Sequence, residues 1–368
     1  MDIAEEGKYP VYGGNGLRGY TNNYTNDGDY VLIGRQGALC GNINYAYGKF
    51  YATEHAVVVY TKNEEITYWL GETLKAANLN RLSMTAAQPG LAVSTLNIQF
   101  IPYPPRKERI RIANYLAEKC TEIDTQVSLL TSKRDAYLRL KKSIINHVVT
   151  HGLNPNVKMK DSGIEWIGEV PEHWEVKRMK DICDYISRGS TPGYVDEDYQ
   201  KVMNQGTFSK GWIDESNIRY TKVGKSGAHI KKGDLLMAST GGGVLGKILY
   251  FDSIDENYYA DSHVTIMRNS KGINSMKFLF YHFSLRFDEI NATMTKGSTN
   301  QTELQRYELL SHKVAIPPLP EQHAIATYLD DKCAKIDTIL SNLNKQISCY
   351  GDLKRSLIDE VITGKRAV

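Results

Sequence analysis

The sequence predicts a mixed α/β (α+β) chain in which two globular regions are joined by a long antiparallel two-helix coiled coil, arranged as a pseudo-two-fold repeat. Two observations carry that expectation. Residues 104–150 recur as residues 317–363 at a constant offset of 213, with no gap and 21 of 47 aligned pairs identical. Each copy follows a region of β-branched and Tyr-rich segments broken by Gly and Asn, which are strand and turn signals. The expected organisation is a first globule over 1–103, a long helix over 104–152, a polar linker over 153–165, a second globule over 166–316 and a second long helix over 317–368.

Taken in order, residues 1–103 read as short strands with one helix around Glu65 to Leu79. Pro104 and Pro105 then suit the first turn of a helix and no later position, as do Pro317, Pro318 and Pro320 in the second copy. From Leu116 a 4,3 spacing selects Leu116, Cys120, Ile123, Val127, Leu130, Arg134, Tyr137, Lys141, Ile144 and Val148; the second copy gives Leu329, Cys333, Ile336, Leu340, Leu343, Ile347, Tyr350, Lys354, Leu357 and Val361. Such sustained 3.5-residue spacing is a coiled-coil seam. One seam alone exposes a long apolar stripe, so each copy is expected to cover the other, antiparallel, over about 112–149 and 325–362.

Composition excludes several classes. At 368 residues with 41% hydrophobic and 24% charged side chains, the chain can bury real cores. It has no run of 18 apolar residues and no signal-peptide pattern at its start, so a cytoplasmic protein without a membrane partner is expected. Five cysteines without a C-x-x-C pair argue for a reducing compartment and against a zinc site, which makes Cys120 and Cys333 small apolar fillers of the seam. The net charge of +3 is uneven: residues 101–150 hold 10 basic against 5 acidic side chains, including Arg106, Lys107, Arg109 and Arg111. A basic run of this kind is weak evidence for a polyanion by itself.

The second globule echoes the first. Gly28-Asp29-Tyr30-Val31 matches Gly233-Asp234-Leu235-Leu236, Ala52-Thr53-Glu54-His55 matches Ala260-Asp261-Ser262-His263, and Ser83-Met84-Thr85 matches Thr293-Met294-Thr295. The order globule, PPRKERIRIANYLAEKCTEIDTQV, the entry Gly168, Pro171 and Trp174, second globule, PPLPEQHAIATYLDDKCAKIDTIL resembles the specificity subunit of a type I restriction-modification system over nearly the whole chain. That resemblance implies two target recognition domains, each reading half of a split double-stranded DNA sequence, held apart by the helices as a ruler. It also implies docking to methyltransferase and restriction subunits, with S-adenosylmethionine, ATP and magnesium used by those partners and no cofactor or catalysis in this chain.

The residues are consistent with a non-catalytic role. Gly241-Gly242-Gly243-Val244-Leu245-Gly246 satisfies G-x-G-x-x-G, but Lys247 to Phe251 reads as a strand where a dinucleotide fold needs a helix. Glu175-Val176-Lys177 has nuclease-like E-x-K spacing without a strand-borne Asp before it. His55 and His263 recur without a shared Ser or Cys nucleophile, which favours structural hydrogen bonding. The alternatives are a stand-alone DNA methyltransferase or nuclease, and a scaffold that binds no DNA.

Polar side chains on Gly-rich turns are the DNA-facing candidates: Asn15, Arg18, Arg35, Gln36 and Gln88 in the first globule, and Arg188, Ser190, Lys222, Lys225, Ser239, Thr240, Lys296, Ser298 and Asn300 in the second. Arg and Gln suit guanine and adenine edges, whereas the Lys222 to Lys232 cluster suits phosphates. Trp174 precedes Gly233 by 59 residues, but the matching Gly28 lies 27 residues after Met1, so about 30 residues equivalent to the Trp174–Thr191 entry are expected to be missing from the first globule. Such a chain is a fragment with an upstream start, a recombination product or one completed by another polypeptide. The first globule is then expected to bind DNA weakly, with changes at Lys225 and Ser239 costing more binding than changes at Asn15 and Arg35.

Overall fold

The computed structural model describes residues 3–368 apart from 38, 63, 64, 84–89, 166, 192, 197–199, 223–227, 256 and 298–301. The chain divides into two compact units, 1–133 with 342–368 and 134–341. The boundaries cut through both long helices, so each unit owns a globule and half of each helix.

In the first unit the strands are β1 (Tyr9–Gly13), β2 (Gly16–Thr21), β3 (Asn26–Asp27), β4 (Tyr30–Gly34), β5 (Ile43–Ala46), β6 (Lys49–Ala52) and β7 (Ala56–Val59). They form a sheet of order β2-β1-β6-β3 and a second of order β5-β4-β7. Val31, Leu32 and Ile33 are all buried because β4 lies between two neighbours and under α1 (Thr67–Ala76). After α2 (Val93–Asn97) the chain enters α3 (Arg106–His151).

The second unit runs through β8 (Met159–Asp161), β9 (Glu169–Pro171), β10 (Glu175–Arg178), α4 (Met179–Ile182), β11 (Tyr185–Arg188), β12 (Tyr194–Val195), β13 (Gln200–Met203), β14 (Arg219–Thr221), β15 (Leu235–Ala238), β16 (Ile248–Tyr250), β17 (Tyr258–Ala260) and β18 (Val264–Arg268). It continues with α5 (Met276–Ser284), α6 (Phe287–Thr293), β19 (Thr295–Lys296), β20 (Glu303–Leu304), α7 (Arg306–Ser311) and β21 (Lys313–Ile316), then enters α8 (Leu319–Ile362). Its main sheets are ordered β12-β14-β13-β17 and β11-β18-β15-β16. The expected polar linker over 153–165 is not wholly irregular: it contains β8, which pairs antiparallel with β9 and so satisfies its backbone groups.

Pairing shows the duplication directly. The parallel pair Val11↔Tyr51 and Tyr12↔Ala52 recurs as Val202↔Tyr259 and Met203↔Ala260, and β4 stands between β5 and β7 as β15 stands between β16 and β18. The triple-glycine segment leads into the strand β16, as its sequence indicated, and forms no nucleotide-binding helix.

Both long helices begin earlier than the seam alone suggests. The Glu108 and Arg109 amides donate to the Pro105 carbonyl, and the Glu321 and Gln322 amides to Pro318, so the prolines form the first turns. Each helix ends at a left-handed glycine, Gly152 (φ 77°) or Gly364 (φ 73°), which frees the terminal carbonyls from a Cβ clash. All twenty seam positions are buried or half-buried. Leu116, Ile123, Leu357 and Val361 share the first unit's core with Val31 and Trp69. Val148, Ile325, Leu329 and Cys333 share the second unit's core with Trp174 and Phe278.

The two lysines in the seams have matched partners. Lys354 Nζ lies 2.7 Å from Asp124 in the first unit, and Lys141 Nζ lies 2.6 Å from Asp337 in the second. Adding 213 to Asp124 and Lys141 gives Asp337 and Lys354, so the pairs are copies of each other. Within each unit, then, the earlier part of one long helix lies against the later part of the other. With their carboxylates more than half exposed, each pair is worth only about 0.2–1 kcal/mol. Their larger role is to penalise a slipped register, where a lysine would enter the seam unpaired.

Different residues anchor the two helix starts. In the second unit the buried Gln322 donates to the Pro317 carbonyl at 2.8 Å and accepts from the Ser275 amide at 2.7 Å. Its counterpart in the first is Arg109, whose Nη1 donates to the Pro104 carbonyl at 2.5 Å and whose Nε meets Glu65 Oε1 at 2.9 Å.

Candidate nucleic-acid interface

Two concavities that hold base-complementary side chains sit on the same backbone frame. In the first unit the Arg35 amide donates to the His55 carbonyl at 3.0 Å and the Leu91 amide to Arg35 at 2.9 Å. In the second the Ser239 amide donates to His263 at 2.8 Å and the Leu304 amide to Ser239 at 2.9 Å. The Gln36↔Gly90 bridge likewise recurs as Thr240↔Glu303. Hence Arg35 corresponds to Ser239, Gln36 to Thr240 and His55 to His263.

In the first unit an open cleft of about 650 Å³ is lined by Asn15, Leu17, Arg18, Gln36, Gly37 and His55. Asn15 sits on the two-residue turn between the paired Gly13 and Gly16, and Arg18 on β2. The turn is pressed onto β4: a Cβ on Gly34 would lie 2.0 Å from the Gly14 carbonyl oxygen, so glycine is required there. Asn15, Arg18 and Gln36 are exposed, so three sequence-chosen side chains converge on one surface. Arg35 does not line it; its Nε is buried without a hydrogen-bond partner among the described residues. The same holds for Asn44 Nδ2, Thr53 Oγ1 and His55 Nδ1, of which His55 lines the cleft.

The second unit's cleft, about 490 Å³, is lined by Thr191, Tyr194, Asn204, Gln205, Asn217, Arg219 and the Asp261-Ser262-His263 turn. The Arg219 guanidinium lies 5.0 Å from the Tyr194 ring centroid, and Tyr194 Oη donates to Asp261 at 3.3 Å. Asp261 also accepts from the His263 amide at 2.8 Å, and burial pushes its carboxyl above the usual range. Thr240 Oγ1 and His263 Nδ1 are 2.7 Å apart, which holds the imidazole in a structural bond.

Several expected contacts have other work. Ser239 is fully buried, with its hydroxyl 2.6 Å from Thr265 Oγ1, and cannot reach a groove from there. Arg188 spans to Glu303 at 3.4 Å and to the Ser239 and Leu304 carbonyls at 3.3 Å, tying β11 to the sheet edge. Ser190 and Thr240 are half-buried, while Lys222 and Lys296 are exposed away from the cleft-lining set. Gln88, Lys225, Ser298 and Asn300 lie outside the described residues, as do Met84, Thr85 and Trp166. Tyr194, Asn204, Gln205 and Arg219 are not singled out by the sequence, because they come together only when β12 and β13 both pair with β14. The one available signal was the polar-apolar alternation of Asn217-Ile218-Arg219-Tyr220.

Glu175 and Lys177 form an exposed ion pair at 2.6 Å on β10. Among the described residues no group of three or more His, Cys, Asp and Glu could hold a metal, and no helix is long and apolar enough to cross a membrane.

The family model for the type I restriction modification DNA specificity domain matches residues 2–128 and 171–348. The chain is 45% identical over 126 residues to the type I restriction enzyme EcoprrI specificity subunit of Escherichia coli, covering 34% of this chain but only 31% of that protein. It is 26% identical over 358 residues to a putative type I restriction enzyme specificity subunit of Haemophilus influenzae, covering 93% and 84% of the two chains. In fold it is similar to a chain from a type I restriction-modification complex (TM-score 0.73, 15% identity, 92% and 83% covered). It is also similar to the HsdS subunit of Thermoanaerobacter tengcongensis (TM-score 0.52, 15% identity, 93% and 82% covered).

Proposed function

Since the chain belongs to the type I restriction modification DNA specificity family, we propose that it is the non-catalytic subunit that reads a two-part double-stranded DNA target for a type I restriction-modification complex. One observation carries the reading: two clefts on the same duplicated frame hold different side chains. Asn15, Arg18 and Gln36 line one; Asn204, Gln205 and Arg219 line the other. A shared frame supports two equivalent approaches to a duplex, and the difference in donors and acceptors supports two different half-sites. The two globules, about 1–103 and 166–316, act as recognition domains, and the two long helices offer the docking surface for methyltransferase and restriction subunits. S-adenosylmethionine, ATP and magnesium belong to those subunits.

Methylated-base mapping in cells carrying the system tests this. Arg18→Ala is expected to relax one half of the methylated motif and Arg219→Ala the other, each lost bidentate contact removing about 1–3 kcal/mol of discrimination. If both variants change the same half, or neither changes the motif, the assignment of one cleft to each half-site fails.

A further inference from the structure

The two units differ in one connection beside their clefts. Val11 corresponds to Val202, an offset of 191, and Tyr20-Thr21 corresponds to Tyr220-Thr221, an offset of 200. The chain between these strands is therefore nine residues longer in the second unit, where 204–218 takes the place of the Gly14-Asn15 turn. Both connections are braced from the same sheet position. Ile43 and Ile248 pair with the equivalent residues Ile33 and Met237, so Asn42 corresponds to Lys247. Asn42 Nδ2 reaches Asn15 Oδ1 at 3.5 Å, and Lys247 Nζ donates to the Ser209 carbonyl at 2.7 Å.

Internal bonds fix the longer loop. Asn204 Oδ1 accepts from the Gly206 and Thr207 amides at 2.7 and 3.2 Å, and Asp214 accepts from the Ser216 amide at 3.2 Å and from Lys210 Nζ at 2.7 Å. Thr207 and Phe208 are fully buried, and Ile213 packs against the core that holds Met203 and Phe208. Next to Ile213, Trp212 is 60% exposed, whereas Trp69 and Trp174 are buried. A rigid loop that already holds a large aromatic in solvent lowers the entropy cost of binding through that ring. What the ring meets follows from where the loop is rooted: Asn204 and Gln205 at one end, and Ser216 and Asn217 at the other, line the cleft. Trp212 is four residues from Ser216, so its Cα lies within about 14 Å of that end, or about four base pairs at roughly 3.4 Å each. An indole offers an apolar face to deoxyribose and one N–H to a phosphate oxygen, contacts that position a duplex without reading it.

We propose that the 204–218 loop is a second DNA contact of the second unit, in which Trp212 packs on the sugar-phosphate backbone within about four base pairs of the bases held by the cleft. The shorter Gly14-Asn15 turn carries no such residue, so the first unit lacks this grip. The proposal rests on the clefts facing DNA.

Gel shifts and acrylamide quenching on the full chain test it, with a duplex bearing the motif methylated in cells as the probe. The emission difference between wild type and Trp212→Phe isolates the Trp212 signal. Saturating duplex is expected to reduce acrylamide quenching of that signal by about twofold or more. Trp212→Ala should bind the duplex about tenfold more weakly and Trp212→Phe within about threefold, with the methylated motif unchanged in both. Unaltered quenching at saturation, Trp212→Ala affinity within about twofold of wild type, or a changed motif would overturn the proposal. So would protection that grows with protein concentration in the absence of DNA, since the tip would then be a contact between copies of the chain. If Arg219→Ala relaxes half of the motif while Trp212 stays unprotected, the loop contact fails and the cleft reading stands; if neither responds, both fail.

Discussion

Arg109 is the side chain on which the join between the first globule and its long helix depends, and replacing it with Met is expected to cost about 4 kcal/mol. The Arg109 and Glu65 side chains are 7% and 6% exposed, so the pair is buried, and Arg109 also stacks 4.0 Å from the Tyr103 centroid and 5.2 Å from that of Trp69. Breaking a buried pair from one side costs about 3–5 kcal/mol, because the remaining carboxylate stays desolvated and unpaired. Burial alone raises the Glu65 pKa, but the Ile66 amide, Tyr103 and Arg109 outweigh it and hold the carboxyl below its usual range. A carboxyl depressed in the folded state stabilises at pH values above its unfolded pKa, near 4.3, and that contribution fades as pH falls through the lower folded value. Arg109→Met should therefore cost most at neutral pH and least in acid. Arg109→Gln, the solution used at Gln322, keeps a donor for the Pro104 carbonyl and should fall between Met and wild type. The double variant Glu65→Leu with Arg109→Met removes the stranded charge and should be more stable than Arg109→Met alone. Urea titration read by hydrogen exchange in α1 and the first turns of α3 isolates this unit from the other. A loss below about 1 kcal/mol, or double-mutant effects that simply add, would refute the buried-pair account.

Ser239→Ala should leave DNA affinity within twofold while costing about 1 kcal/mol of stability, because it strands the Thr265 hydroxyl; gel shifts and urea titration separate the two effects. Lys141→Asp should reduce stability by no more than about 1 kcal/mol, and adding Asp337→Lys should restore it; failure of the swap in thermal melts would mean the pair does not select register. Trp174→Ala should lose about 3–5 kcal/mol, confined to the second unit by hydrogen exchange, since the indole is fully buried against Phe278.

Much of this protein was readable without coordinates wherever the information lay in local spacing. The 213-residue offset and the 4,3 seam identify two long helices that must cover each other, because a periodic apolar stripe has few other ways to leave water. Repeated Gly-Asp and Ala-x-x-His landmarks likewise located β4 with β15 and the His55 and His263 turns, since turn chemistry is written in a few adjacent residues. The direction of side chains was not local, and here the tertiary structure decided. Ser239 and Arg35 occupy equivalent backbone positions that point inward, whereas Gln36 one residue later faces the cleft, a distinction of strand alternation set by which sheet face is covered. Arg219 and Tyr194 become neighbours only through β12–β14 pairing across 25 residues, and Arg109 substitutes for Gln322 through contacts with Glu65 that no helix periodicity encodes. Sequence determined which elements exist and that they come twice, because those are short-range properties. Only the packed structure decided which polar groups are consumed in holding it together and which are left to meet a partner, because that depends on burial and on pairing between distant strands.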